Sequence, residues 1–329
     1  AGALGLSTGL EYEPGIFSTT EEVIELARVA AMHNGRYVSH LRDEDDRFVD
    51  AIKEIIRIGD EAGIPVHVSH IKIADRLAWG TTNEIIGLMD AARNAGLSIT
   101  ADIYPYERWA SNLAVLFPDR DYSSVATAEY TFERTAAAED ILLIRYPANP
   151  AFEGMTVAEI AGSTERDEVT TLLELSQAAE DHRRETGNDS GIIAKSMNNE
   201  DIAAFLRWPY MNICSDGSHG GHPRGYGSFP RVLGFFGREL GVLTVPEAIF
   251  KMTARAADSM GISDRGRIAP GHYADLVLFN PDTIIDHADM KEPTAMSSGI
   301  ERVWVNGILA FDDAAPTGAF AGQVVKRSE

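Results

Sequence analysis

The sequence is short of several things, and each shortage excludes something. It has one cysteine, Cys214, in 329 residues. No intrachain disulfide is possible, and nothing points to an oxidising compartment. Cations are scarce: 29 Lys and Arg stand against 50 Asp and Glu, for a formal net charge of -21. Nucleic acid is therefore not expected as a partner, because phosphate binding needs a surplus of Lys and Arg. Such acidity suits a soluble cytoplasmic protein, which is the expected location. No apolar run is long enough to cross a bilayer, so no membrane partner is expected. Walker spacing is absent, and so is any repeat of solenoid period. The opening "AGALGLSTGL" has no Met and no basic stretch before an apolar one. It does not read as a signal peptide. Ala3, Leu4 and Leu6 instead suggest a buried strand already under way, so the chain is expected to start inside a fold.

What is present alternates. "GALGLST" reads as a strand, followed by the loop "EYEPG". "STTEEVIELARVAAMHNG" then carries helix punctuation. Ser18 or Thr19 can cap it, Glu21 and Glu22 suit its first turn, and Gly35 ends it. Val23, Leu26, Ala27 and Ala30 are expected on its buried face. "RYVSHL", "IPVHVSH" and "LSITADIY" read as further strands. The helix between the first two of these has Phe48, Ile52, Ile55 and Ile56 as its apolar stripe. A Thr-capped helix, "TTNEIIGLMDAARNAG", precedes the third. Four strand–helix alternations imply a parallel sheet with helices outside it. The pattern stops at Pro105, and residues 105–190 read as an insertion covering one end of the sheet. "YMNICSDG" is a fifth strand and "TVPEAIFKMTARAADSMG" the helix after it. In the tail, "YADLVLFN", "ERVWVNGIL" and "GQVVKR" read as short strands of a small β module.

The tripeptide Val-Ser-His occurs twice, at 38–40 and 68–70. Each time the histidine ends a short β-branched run. In a parallel barrel the C-terminal strand ends face the active site. Two imidazoles on adjacent strand tips, His40 and His70, make half of a zinc site. Asp216 closes "ICSDG" at a third tip, where a carboxylate can take a proton from water and pass it to a leaving group. A lone strand-end histidine is usually only a hydrogen-bonded residue; two of them plus the aspartate favour the catalytic reading. His67 is an odd number of residues from His70, so it is expected on the other face in a structural role. Cys214 shares the face of Asp216 and reads as packing. In "DGSHGGHPRGYGSF", the glycines allow close backbone approach, and Arg224 can grip a carboxylate. His219 and His222 are minority metal candidates. Lys72 sits on the face of His70 and can hold an acidic substrate group, while Tyr104 and Tyr106 can donate hydrogen bonds to a substrate. His33, His182, His272 and His287 read as solvated.

Together these stretches resemble the N-acyl-D-amino-acid deacylases (D-aminoacylases) of the amidohydrolase superfamily. "GALGLSTGLEYEPG", "VSHLRDE", "VHVSHIK", "DIYPY", "CSDG", "HPRGYGSFPRVLG", "EAIFKMT", "DRGRIAPGHYADLVLF" and "GIERVWVNG" carry the likeness from end to end. "GLSTGLEYEPG", "DIYPY" and "HPRG" are the specific ones. The resemblance implies zinc-dependent hydrolysis of N-acyl-D-amino acids, with His40 and His70 as metal ligands and Asp216 as the acid/base. It places Lys72, Tyr104 and Arg224 on the small-molecule substrate. It also exposes departures: the family's H-x-H motif is missing, and the one cysteine lies on the wrong strand for a ligand. The expected fold is thus a partial (β/α)8 TIM barrel, about strands 4–8, with a small C-terminal β module. The expected divisions are 1–104 (βα units), 105–190 (insertion), 191–265 (last strand and helices) and 266–329 (part of a β-sandwich module). One or two Zn2+ are implied, with the other ligands in a missing N-terminal region, and the chain alone is expected to be inactive. A cyclic-amide hydrolase of the dihydroorotase or hydantoinase type, and a non-catalytic barrel remnant, are the alternatives.

Overall fold

A computed structural model describes residues 2–217, 221–313 and 315–326. Its centre is a five-stranded sheet in the order β1-β2-β3-β4-β8, parallel throughout. The strands are β1 (Gly5–Gly9), β2 (Arg36–His40), β3 (Val66–Val68), β4 (Ile99–Ile103) and β8 (Met211–Ile213). These are the five runs singled out as strands in the sequence.

Helices α1 (Thr20–Ala31), α2 (Phe48–Ala62) and α3 (Thr82–Asn94) connect the first four strands. Thr19 caps α1 by accepting from the Glu22 N–H, and Gly63 ends α2 in a left-handed conformation at φ 63°. Tyr37, Val66, Val68, Ile99 and Ala101 lie on the helix-facing side of the sheet. They pack with Ile24, Ile52, Ile55, Ile58, Ile85 and Met89 in one core. Leu26 was expected in that core, yet it is 50% exposed. The buried stripe of α1 is centred on Val23, Ile24 and Ala27, about one residue's rotation away. Likewise α2 buries Ile58 and Ala51 in its stripe, and Ile56 only borders it.

The segment after β4 folds on a core of its own, formed by Trp109, Leu116, Phe117, Ile141, Leu143, Tyr146, Leu172 and Ile192 with their neighbours. Its sheet is antiparallel, ordered β5-β7-β6, from β5 (Arg108–Ser111), β6 (Ile141–Arg145) and β7 (Gly191–Lys195). This sheet therefore reaches past residue 190. Around it lie α4 (Val125–Tyr130), α5 (Val157–Thr164) and α6 (Glu168–Thr186). Helix α7 (Asn199–Arg207) then leads back to β8, and α8 (Arg224–Arg231) follows it. The single helix expected from "TVPEAIFKMTARAADSMG" is two, α9 (Val245–Met252) and α10 (Ala254–Met260). They break at Thr253, whose backbone (φ -125°, ψ -86°) is not helical. The tail forms a four-stranded antiparallel sheet from β9 (Leu276–Phe279), β10 (Ile300–Val305), β11 (Ile308–Asp312) and β12 (Ala315–Pro316). "GQVVKR", expected as a strand, has no strand over its described residues.

Candidate active site

Four of the five strands of the parallel sheet deliver side chains to one place, its C-terminal end. Glu11 and Tyr12 follow β1, His40 ends β2, His70 lies two residues past β3, and Asp216 lies three past β8. With Glu44, Asp45, Lys72, Arg224 and residues of the insertion they enclose a cavity of about 220 Å³. Three of the insertion's wall residues are Trp109, Ser111 and Leu116.

The two histidines meet. His40 Nδ1 lies 3.1 Å from His70 Nε2, and His40 Nε2 lies 2.6 Å from Glu11 Oε2. Glu44 stands beside both, 3.7 Å from His40 Nε2 and 3.6 Å from His70 Nδ1. One ligand atom from each of His40, Glu44 and His70 falls within a 4.8 Å group. The Lys72 ammonium donates to both oxygens of Glu44 (2.7 and 2.6 Å) and lies 2.8 Å from His70 Nδ1. Burial raises the proton affinity of Glu44, but His40, Lys72 and His70 outweigh burial and hold the carboxyl well below the usual range. Asp45, next to it, goes the other way. Burial pushes it up to about 7, helped by the carboxylates of Asp43, Glu11 and Asp75, against one hydrogen bond from Thr135.

His70 reaches this position through its backbone. It has φ 36°, a left-handed conformation uncommon outside glycine, and its N–H donates to Asp102 Oδ1 at 2.5 Å. The other oxygen of Asp102 lies 2.7 Å from His67 Nε2, and His67 Nδ1 lies 2.7 Å from Thr100 Oγ1. His67 is thus structural, as expected, but not for the parity reason. Val38 pairs with His67 in register, so His67 shares the sheet face of His40. It is His70 that leaves the strand alternation by its left-handed turn. Cys214 also hydrogen-bonds Asp102, and burial and that carboxylate raise its thiol well above its ordinary value.

Asp216, at φ 46°, pairs with the buried Arg224, Oδ2 to Nη1 at 2.7 Å. The Arg224 guanidinium lies 4.7 Å from the centre of the Tyr104 ring, and Lys72 Nζ lies 6.0 Å from it. The Tyr104 hydroxyl is buried and has no hydrogen-bond partner among the described residues. Tyr106 is engaged elsewhere, donating to Asp286 at 2.9 Å. His222, a minority metal candidate, is fully used as a scaffold. Its Nε2–H donates to the Arg108 carbonyl at 2.8 Å, and its Nδ1 accepts the Arg224 N–H at 3.0 Å. Burial and the Arg224 charge push it down to about 3, so it is neutral. His219 lies outside the described residues.

His40, His70, Lys72, Asp216 and Arg224 therefore line one cavity, and Tyr104 lies beside its two cations. Sequence reasoning missed Glu11, Tyr12, Glu44 and Asp45. Glu44 follows His40 by four residues in "HLRDED", a run that reads as solvated charge, and "EYE" reads as loop. The available signal was position: both acidic stretches directly follow strand ends.

The chain resembles proteins of known activity. A model described as "Amidohydrolase family" matches residues 214–311. An N-acyl-D-glutamate deacylase of Alcaligenes xylosoxydans xylosoxydans is 35% identical over 331 residues, covering 99% of this chain and 62% of that protein. This chain is similar to the D-aminoacylases along nearly all of its own length. A D-aminoacylase of the same organism is 33% identical, over 100% of this chain and 62% of its own length. The solved N-acyl-D-glutamate deacylase of Bordetella bronchiseptica, complexed with zinc and a phosphonate inhibitor, superposes with a TM-score of 0.85. It is 33% identical and is matched over 99% of this chain and 63% of that one. The chain thus spans a little under two thirds of the length of the relatives it matches. Among the described residues, no helix is long and apolar enough to cross a membrane.

Proposed function

We propose that this chain carries part of a zinc-dependent deacylase, which hydrolyses the amide bond of N-acyl-D-amino acids to a D-amino acid and a carboxylate. The observation that supports it most is one cavity at the strand C-termini, lined by the His40–Glu44–His70 group and by the Asp216–Arg224 pair. In this reading the parallel sheet is about strands 4–8 of a (β/α)8 barrel. Residues 105–190 are its insertion, 191–265 its last strand and helices, and 266–329 part of a small β module.

Zinc fits the donors present. Two imidazoles and a carboxylate are ordinary zinc ligands, and the Lys72 ammonium already sits among them where positive charge is wanted. His40, His70 and Glu44 would hold the ion, which supplies Lewis-acid polarisation of a carbonyl and a more acidic water. Asp216 takes the proton of the attacking water and returns it to the departing amine. Arg224 and Lys72 hold the substrate carboxylate, and the unpartnered Tyr104 hydroxyl donates a hydrogen bond to the substrate. The ring-opening alternative has less behind it, because homologues at 33–35% identity are deacylases of linear substrates by name.

The test is hydrolysis of N-acetyl-D-methionine against its L-isomer, by this chain and by a polypeptide of the homologues' full length that contains it. The D-isomer should be cleaved by the longer protein, with little turnover by the chain alone, and Asp216→Asn should remove it. Equal rates on both isomers, or an active Asp216→Asn, refute the proposal.

A further inference from the structure

A second cavity of about 220 Å³ lies at the opposite, N-terminal end of the parallel sheet. Arg36 opens β2, Arg93 sits in the last turn of α3, and Arg255 belongs to α10. Three guanidinium groups from three separate elements therefore share one pocket, in a chain whose formal net charge is -21. The single carboxylate among its described lining residues, Asp258, is engaged elsewhere. Its two oxygens accept from Nη1 and Nη2 of Arg267 at 2.9 and 2.7 Å.

These guanidinium groups are oriented by neutral partners. Arg93 donates to the Ile99 carbonyl at 2.5 Å and stacks on Tyr210, its Cζ 3.3 Å from the ring centre. Arg255 Cζ lies 5.3 Å from the same ring and 5.0 Å from that of Phe250. Arg36 donates to the Met260 carbonyl. Among the described residues, neither Arg93 nor Arg255 is ion-paired, and the Nε of each is buried without a hydrogen-bond partner. Close by, burial and the Arg255 charge push the Lys251 ammonium down to about 8. Carbonyls and aromatic faces fix the direction of a guanidinium but leave its unit charge, and like charges in a partly desolvated cavity repel. An anion with several oxygens removes that repulsion and meets the planar N–H forks. A carboxylate offers two oxygens in one plane, whereas a phosphate offers oxygens in all the directions from which these three forks come. We infer that Arg36, Arg93 and Arg255 form a binding site for a phosphate-class oxyanion, at the end of the sheet away from the His40–Glu44–His70 group. The site is independent of the deacylase reading.

Calorimetric titration of the 329-residue chain with inorganic phosphate, at ionic strength held constant with sodium chloride, tests it. One saturable site per chain is expected, with a Kd of about 1 mM or below. Arg93→Gln and Arg255→Gln should each weaken binding by about tenfold or more, through loss of a charged donor. Arg255→Gln removes no side-chain hydrogen bond among the described residues, so it serves even if Arg93→Gln fails to fold. Arg224→Gln, in the other cavity, should leave the affinity unchanged. Acetate should bind about tenfold more weakly than phosphate, or less. Displacement of phosphate by methyl phosphate assigns the site to a phosphoryl group on a larger molecule, and failure to displace assigns it to the free ion. No saturable binding, binding that survives Arg255→Gln, binding lost in Arg224→Gln, or acetate binding as tight as phosphate overturns the inference. So does binding by this chain that vanishes in a polypeptide of the relatives' full length, because the cavity is then filled by protein.

Discussion

Lys72 offers the sharpest test of the energetics of the site. It is 5% exposed, and its ammonium contacts both oxygens of Glu44, itself buried. Lys72→Met keeps much of the side-chain volume and removes the charge. Glu44 is then a buried carboxylate whose nearest positive partners are imidazole nitrogens 3.6 and 3.7 Å away. Removing one member of a buried pair costs about 3–5 kcal/mol, because the other is left uncompensated. Metal-free protein should show this loss in urea denaturation followed by circular dichroism. With a slope of about 3 kcal/mol/M, the midpoint should fall by about 1–1.7 M. The double variant Lys72→Met/Glu44→Gln should recover at least half of the loss, since the stranded charge is gone. A single-variant loss below about 1 kcal/mol, or a double variant no more stable than the single, refutes the reasoning.

Three further outcomes follow from the same geometry. Asp45, raised to about 7, stabilises the fold only while it is protonated: its contribution is present below the unfolded value near 4 and is lost as pH rises to about 7. Asp45→Asn should therefore gain stability on the wild type between pH 4 and 8, by at most about 4 kcal/mol, and no gain at pH 8 would contradict its burial as an unpaired acid. His222 behaves oppositely, with a depressed value near 3, so stability present above pH 6.5 is lost as pH falls toward 3. His222→Phe should lack that acid-side loss but start about 2–4 kcal/mol lower at pH 8, with the Arg224 N–H and Arg108 C=O left bare; an unchanged urea midpoint would count against the scaffold role. Zinc at a hundredfold excess over its Kd should stabilise the protein by about 2.7 kcal/mol, reversibly with a chelator. His40→Ala should abolish that shift, and a shift that survives would place the ion elsewhere.

Much of the architecture was readable because it is local. Alternation of period-2 and period-3.6 patterns, a Thr cap before Glu22 and glycine at Gly35 act over a few residues, and all five parallel strands were found from such local patterns. The stripe of α1 was misplaced by one residue, since periodicity gives a face and only packing gives its centre. The break at Thr253 was missed because both flanking helices are well patterned and no proline or glycine marks the junction.

By itself the sequence determined the alternation of strands and helices and the candidates at strand ends, His40, His70 and Asp216. It did so because strand periodicity and the histidine and aspartate types are written residue by residue. Only the tertiary structure decided that Glu44 joins the two histidines, that Lys72 is bound to it, and that Asp45 beside it holds its proton up to about neutral pH. Neighbouring carboxylates of one acidic run titrate in opposite directions because their fates depend on desolvation and on charges brought from other strands. Those distances do not exist until the chain is folded.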